Sequence, residues 1–377
     1  MKGLDGTRSL DEFVTIEEIE KHSRITGSTK IITPLEAFSE VPTTRRAWNN
    51  VLESRKQLVD ILTGKDRRIL IESGPCSVHS VKGALGYAVW LKSLADEFQD
   101  QFLITMRVYL EKPRTCEGWP GLLTDPRMDS SCDMNEGRLM GREVFLGVNH
   151  VGLGVTTEFL NTLTPQYLFD LTTHGVIGAR SVTYQEIRKM SSGLSMPVGL
   201  KNDLEGKPHT AIDAAVVASR PQQFGGMDVE GALCCLQTSG NKDAHIILRG
   251  GNKNTNYGAG SVRYVVSRLK ERGLPGIVEI DCSHANSGKD HLEQEKVFDR
   301  VAAQILRVRG HGAIRGMMIE SYTKPGAQKM DYPCTMTLDE DQSVTDKCMG
   351  QETTYRCVRD FGNALRDKKK HRAYSVR

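Results

Sequence analysis

The sequence predicts an α/β protein built as a (β/α)8 (TIM) barrel with an N-terminal extension and an inserted β-hairpin. Three observations point there. From Arg68 onward, apolar runs of strand length recur eight times, most of them separated by stretches long enough for a helix, the alternation that produces a parallel sheet. The length of 377 residues suits one large barrel with an appendage. The residues just after the apolar runs are also unusually rich in reactive side chains, as expected where functional groups sit at the C-terminal ends of barrel strands.

In chain order, residues 1–66 read as the extension. They are polar and charged, with a helical pattern over about 43–63 (Trp48, Val51, Leu52, Leu58, Ile61, Leu62) introduced by Pro42-Thr43-Thr44. Pro34-Leu35-Glu36-Ala37-Phe38 reads as an arm that docks on the barrel or on a neighbouring subunit. The barrel is expected over 67–377, with strands at 69–72, 102–110, 152–157, 176–179, 198–201, 245–248, 276–281 and 312–319. Between the fifth and sixth strands, a helical piece at 210–219 is followed by Gly225-Gly226 and an apolar run at 232–236. This break in rhythm predicts a hairpin at about 222–240. Residues 321–344 read as loop, a last helix runs over about 352–368, and the basic residues 368–372 read as a solvated end.

Composition excludes several classes. Fifty Lys and Arg against 47 Asp and Glu leave a net charge of +3, too balanced for general nucleic-acid binding. No run is long and apolar enough to cross a bilayer, and Met1-Lys2-Gly3-Leu4-Asp5-Gly6 has no apolar signal core, so a cytoplasmic location with no membrane partner is expected. Nine cysteines form neither a dense even framework nor a C-x-x-C pair, which implies reduced thiols. Any metal site is therefore assembled from residues distant in sequence.

The strand ends supply candidates. Met106-Arg107-Val108-Tyr109-Leu110 unloads Glu111-Lys112-Pro113-Arg114-Thr115 at its C-terminal end, a rigid guanidinium fork and a compact ammonium side by side. The rim carries Arg107, Lys112, Arg114, Arg180, Lys201 and Arg249, interleaved with Cys76, His284 and Glu320. A lone cysteine after a strand is ordinarily a small buried residue. Thiolate, imidazole and carboxylate together at the ends of three strands instead suit a divalent transition ion, with Asp346 the best-placed fourth ligand. The cations would repel one another without a ligand, and a molecule bearing both carboxylate and phosphate, such as phosphoenolpyruvate, suits them. Arg114 and Thr115, further out, suit a second phosphate. The competing reading pairs some of these cations with Glu111, Glu158 or Asp203.

Across residues 32–366, these motifs together resemble the type I 3-deoxy-D-arabino-heptulosonate 7-phosphate (DAHP) synthases of enteric bacteria and fungi. The resemblance rests on Gly74-Pro75-Cys76-Ser77, Met106-Arg107-Val108-Tyr109 with Glu111-Lys112-Pro113-Arg114-Thr115, Thr164-Pro165-Gln166-Tyr167 and Gly178-Ala179-Arg180. It continues through Lys201-Asn202, Ile247-Leu248-Arg249-Gly250-Gly251, Ser283-His284-Ala285-Asn286-Ser287 and Thr345-Asp346. It implies the barrel above and a metal-dependent, aldol-like condensation of phosphoenolpyruvate with D-erythrose 4-phosphate, the first step of the shikimate pathway, in a homodimer or homotetramer. It implies a divalent ion (Mn, Fe, Co or Zn) on Cys76, His284, Glu320 and Asp346. Phosphoenolpyruvate would be held by Arg107, Lys112, Ala179, Arg180, Lys201 and Arg249, with Glu158 orienting water. Lys112, Pro113, Arg114 and Thr115 would receive the aldose phosphate, and Lys112 would be the proton donor.

The sequence departs from that family after Thr115, where Thr-x-Gly-Trp-Lys-Gly is usual and Cys116-Glu117-Gly118-Trp119-Pro120-Gly121 stands here. A lysine expected near phosphate is thus Pro120. The segments Ser181-Val182-Thr183-Tyr184-Gln185, Asn202-Asp203-Leu204-Glu205-Gly206 and Val229-Glu230-Gly231 also differ, the last in the hairpin near which the family's aromatic effectors bind. These changes keep open a homologue in specialised metabolism, with a dedicated pathway role or another phosphorylated aldose as acceptor. A non-catalytic barrel would be expected to lose the ligand and cation set, which this chain keeps.

Overall fold

The computed structural model describes residues 14–308 and 312–374, the side chains of 369–374 excepted. Met1–Gly6 and the side chains of the basic run 369–372 lie outside the described residues. Contacts divide the chain into two compact units, residues 1–32 and 33–377. Within the first, a short helix α1 (Ile16–Glu20) starts at a capping box in which Thr15 and Glu18 satisfy each other's backbone N–H groups.

The second unit opens with α2 (Pro34–Glu40), which has a Thr33/Glu36 capping box and proline in its first turn. Next comes α3 (Arg45–Thr63), capped by Thr44 and stopped by Gly64 in the left-handed region at φ 80°. Its buried stripe includes Ala47, Val51, Leu58, Ile61 and Leu62, the spacing of one helical face. Leu58, Ile61 and Leu62 pack on Leu70, Leu103 and Ile277. These lie at or just before the starts of strands β1 (Ile69–Gly74), β2 (Phe102–Arg107) and β9 (Val278–Asp281), so α3 covers the N-terminal mouth of the barrel.

The remaining barrel strands are β3 (Gly154–Glu158), β4 (His174–Ile177), β5 (Val198–Lys201), β8 (His245–Leu248) and β10 (Ile314–Glu320). They close in the order β1-β10-β9-β8-β5-β4-β3-β2, every pair parallel. Helices α4 (Val81–Glu97), α5 (Met134–Val151), α7 (Gln185–Ser191), α8 (His209–Ala218), α9 (Ala259–Glu271) and α10 (His291–Arg307) alternate with them, α6 (Pro165–Leu168) forms one extra turn, and α11 (Gln351–Tyr374) closes the chain. The expected hairpin is present as β6 (Gln223–Met227) and β7 (Leu233–Gln237), antiparallel and outside the barrel. All nine cysteines are free thiols.

Some boundaries move for physical reasons. Strand two stops at Arg107 rather than 110, and beyond it Tyr109 O accepts from Val78 N in the loop after β1 instead of from a barrel strand. Strand three starts at Gly154 because Gly152, at φ 96°, ends α5. Strand four begins at His174, two residues before its apolar signal.

Arg142 on α5 ties α2 and its loop to the barrel. It is fully buried, with both ends of its fork on Asp170 at 2.9 Å, and it also donates to Val41 O, Tyr167 O and Thr43 Oγ1. Its guanidinium lies 4.4 Å from the Phe38 ring centre. Arg142→Met is expected to cost about 3–5 kcal/mol, because a mostly buried carboxylate and two carbonyls lose their donor. Urea denaturation of the two proteins checks this.

Candidate functional site

The C-terminal ends of the strands surround a cavity of about 470 Å³. Its lining brings together Cys76, Arg107, Lys112, Pro113, Arg114, Thr115, Glu158, Ala179, Arg180, Lys201, Arg249, His284 and Asp346. Glu320 stands behind them, 3.0 Å from Arg107 Nη2.

Arg107 is the buried anchor, 1% exposed. Its Nη1 donates to Pro75 O (2.5 Å) and Cys76 O (3.1 Å), and its guanidinium lies 3.6 Å from the Tyr109 ring centre. Gly74 makes this approach possible, since a Cβ there would lie 2.2 Å from Arg107 O. Burial opposes the charge of Arg107, but Glu320 and the groups around it outweigh burial and hold the guanidinium protonated.

Around this anchor, Lys112 Nζ lies 2.6 Å from Cys76 Sγ and 3.3 Å from Asp346 Oδ2. Burial works against the ammonium, and Cys76, Asp346 and Glu320 more than compensate, so its pKa is raised. Asp346 is held well below the usual carboxylate range: burial is overcome by Lys112, Lys289 and His284. In the absence of a metal, burial and Glu320 push the Cys76 thiol up, against Lys112.

The ligand candidates fit a divalent ion. Donor atoms of Cys76, Glu320 and Asp346 lie within 4.8 Å of one another, and His284 Nε2 is 3.7 Å from Glu320 Oε1. That oxygen is buried with no hydrogen-bond donor aligned on it. His284 takes a left-handed backbone, φ 50°, and its Nδ1 lies 2.8 Å from Asp281 Oδ2. This carboxylate–imidazole pairing leaves Nε2 free to coordinate. Mixed S, N and O donors suit first-row transition ions.

The cations do not pair with Glu111, Glu158 or Asp203. Arg107 pairs with Glu320, Lys201 with Asp281 at 2.9 Å, and Lys112 with Asp346. Arg114, Arg180 and Arg249 have no ion pair among the described residues; Arg180 donates to Thr115 Oγ1 (3.2 Å) and Arg114 to Trp119 O (2.9 Å). The sequence reading missed Asp281, which burial would raise but His284 and Lys201 hold well below its ordinary value. Its place at the end of β9, two residues after Glu279 on the same face, was the available signal. It also missed Tyr109 and Lys289 as cavity groups. Pro120 does not line the cavity; its carbonyl accepts from Lys112 N at 2.9 Å.

Glu111 lines the same cavity, accepting from Asn161 Nδ2 at 3.0 Å. Burial pushes it up to about 7 despite hydrogen bonds with Thr164 and Asn161. The native state therefore keeps this proton at pH values where the unfolded chain has lost it. The associated stability is present at low pH and lost as pH rises from the unfolded value of about 4.3 through about 7. Glu111→Gln, which cannot ionise, is expected to stabilise the protein by about 2 kcal/mol more at pH 8 than at pH 5. Urea denaturation at the two pH values checks it.

The DAHP synthetase I family model matches residues 40–359. The Phe-sensitive phospho-2-dehydro-3-deoxyheptonate aldolase of Escherichia coli K12 is 42% identical over 346 residues, covering 92% of this chain and 97% of that one. The tyrosine-inhibited enzyme of the same name from Schizosaccharomyces pombe is 39% identical over 353 residues, 93% and 94% of the two chains. A solved phospho-2-dehydro-3-deoxyheptonate aldolase from Francisella tularensis SCHU S4 superposes with a TM-score of 0.88 at 36% identity, covering 92% of this chain and 99% of that one. With the model match spanning most of the barrel and the identities extending across nearly the whole chain, the protein belongs to the DAHP synthetase I family.

Proposed function

We propose that the chain condenses phosphoenolpyruvate with D-erythrose 4-phosphate and water, giving 3-deoxy-D-arabino-heptulosonate 7-phosphate and phosphate, the entry step of the shikimate pathway. The observation that carries this reading is the cation surplus. Arg114, Arg180 and Arg249 face one cavity without carboxylate partners among the described residues, beside a set of thiol, imidazole and carboxylate groups. Planar forks of this kind suit phosphate and carboxylate oxygens.

In this reading Arg107, Lys112, Arg180, Lys201 and Arg249 hold the carboxylate and phosphate of phosphoenolpyruvate, with Ala179 lining that end of the cavity. Pro113, Arg114 and Thr115 receive the aldose phosphate, and the Arg180–Thr115 hydrogen bond links the two subsites. A divalent ion (Mn, Fe, Co or Zn) on Cys76, His284, Glu320 and Asp346 supplies Lewis acidity for the aldehyde when bound. C3 of phosphoenolpyruvate attacks the aldehyde carbon, water adds at C2, and phosphate leaves by C–O cleavage. Lys112, held protonated between Cys76 and Asp346, gives its proton to the oxygen that was the aldehyde's. Glu158 orients the water; Gly178 leaves room for its carboxylate, since a Cβ there would lie 1.7 Å from Oε1. The guanidinium groups stabilise charge as it develops on phosphate. The substrates are small phosphorylated metabolites, and nine free thiols suit a reducing cytoplasm.

The outer loop favours a second reading, another phosphorylated aldose as acceptor, because Cys116 and Glu117 stand exposed next to Thr115. One assay separates the two: phosphate release from phosphoenolpyruvate by metal-loaded protein, with erythrose 4-phosphate or other phosphorylated aldoses, and mass spectrometry of the product. A seven-carbon keto acid from erythrose 4-phosphate is expected; turnover with another aldose alone would establish the second reading. Cys76→Ala and Lys112→Ala are each expected to lower kcat at least about 100-fold. Near-normal turnover in either would remove that residue from the mechanism.

A further inference from the structure

Below the rim, the barrel holds a second polar cluster that the reaction above does not use. His174 opens β4, His245 opens β8, Glu279 lies on β9 and Glu72 on β1, none more than 2% exposed. Inward side chains recur every second residue along a strand. Val176 therefore follows His174, and Ile247 stands between His245 and the rim's Arg249. Val176, Ile247, Met318 and Tyr109 form one apolar cluster, which separates the two polar compartments.

Hydrogen bonds orient both rings. His174 Nδ1 lies 2.5 Å from Glu72 Oε1, which also accepts from Thr156 Oγ1 at 2.7 Å. His245 Nδ1 lies 3.1 Å from the Asp243 carbonyl, an obligate acceptor. The Asp243 carbonyl can only accept, so a neutral His245 carries its proton on Nδ1 and a lone pair on Nε2; His174, tied to Glu72 through Nδ1, likewise turns Nε2 toward the cluster. Neither Nε2 has a hydrogen-bond partner, and the Glu279 carboxyl meets that of Glu72, a contact that needs a proton or a cation between the two. His245 Nε2 and Glu279 Oε2 face each other at 3.6 Å, and one donor atom from each of His174, His245 and Glu279 falls within 4.8 Å of the others. Two glycines keep space open: a Cβ on Gly199 would lie 3.2 Å from His174 Nε2, and one on Gly316 3.0 Å from Glu279 Cγ.

We propose that His174 Nε2, His245 Nε2 and a carboxylate oxygen of Glu279 form a second metal site, structural in role, for a divalent first-row transition ion such as Zn²⁺. Two imidazoles and a carboxylate are a zinc donor set, and ligand atoms at about 2.1 Å in tetrahedral array stand roughly 3.4 Å apart, close to the His245–Glu279 spacing. Glu72 and the Asp243 carbonyl are the outer partners that orient ligating imidazoles. Charge closes as well: two ionised glutamates balance one dication. With α3 over the N-terminal mouth and an apolar layer above, the ion enters as the chain folds and does not exchange in the native state.

The test uses full-length protein refolded with Zn²⁺, treated natively with EDTA, gel-filtered and analysed for metal. Wild type and Cys76→Ala are each expected to retain about one equivalent, because the rim site is open to chelator and the deep site is not. His245→Gln in the Cys76→Ala background is expected to retain at least tenfold less. Loaded with Co²⁺ in place of zinc, EDTA-treated wild type is expected to show ligand-field bands without a thiolate-to-metal charge-transfer band. Loss of all metal from Cys76→Ala, a charge-transfer band on the retained ion, or full retention by a folded His245→Gln variant would each overturn the proposal. The first two readouts stand even if His245→Gln does not fold. Neither depends on turnover, so this site and the proposed reaction fail independently.

Discussion

Everything at the rim depends on one buried cation. Arg107 sits almost without solvent, with Glu320 as its ion-pair partner and the Pro75 and Cys76 carbonyls as acceptors. In that one contact set it joins the end of β2, the loop after β1 and the end of β10. A buried guanidinium is tolerable only when its donors and charge are matched, so the fold is committed to placing those groups around it. Cys76 and Glu320, two of the four ligand candidates, are thereby positioned by a neighbour that need not touch the ion.

The same logic extends outward by alternating charge. Asp281 stands between Lys201 and His284, Asp346 between Lys112 and Lys289. These pairs neutralise the inner cations and leave the guanidinium groups of Arg114, Arg180 and Arg249 for an incoming anion. The cavity is thus divided into a balanced inner part and an electropositive outer part, a difference in local charge that the net +3 of the chain does not express.

Inside the barrel, polar and apolar layers alternate along the strands. The apolar layer of Val176, Ile247 and Met318 does the usual work of a barrel interior, while the layer beneath it is occupied by two histidines and two glutamates. Such a layer opposes folding unless its groups satisfy one another or share an ion. Helix α3, packed against Leu70 and Leu103, closes the barrel below this layer, so the N-terminal extension also governs what reaches it.

The barrel was legible in the sequence because strand-length apolar runs and helix-length intervals are local signals, and all eight expected strands overlap observed ones. The rim residues were legible because strands end in recognisable strings such as Lys112-Pro113-Arg114-Thr115. Partner choice was not: the competing pairs with Glu111, Glu158 or Asp203 lay near the cations in sequence or at neighbouring strand ends, whereas Arg107 meets Glu320 across the barrel closure. His174 and Glu279 gave no signal either, since a polar residue in a short strand reads as a boundary or an exposed position. The linear order of residues suffices for the elements, their succession and the chemical types at the strand ends, because these follow from near-neighbour patterning. The tertiary structure alone decided which charges meet, which stay free and which polar groups are sealed inside, because barrel closure sets those distances between residues up to hundreds of positions apart.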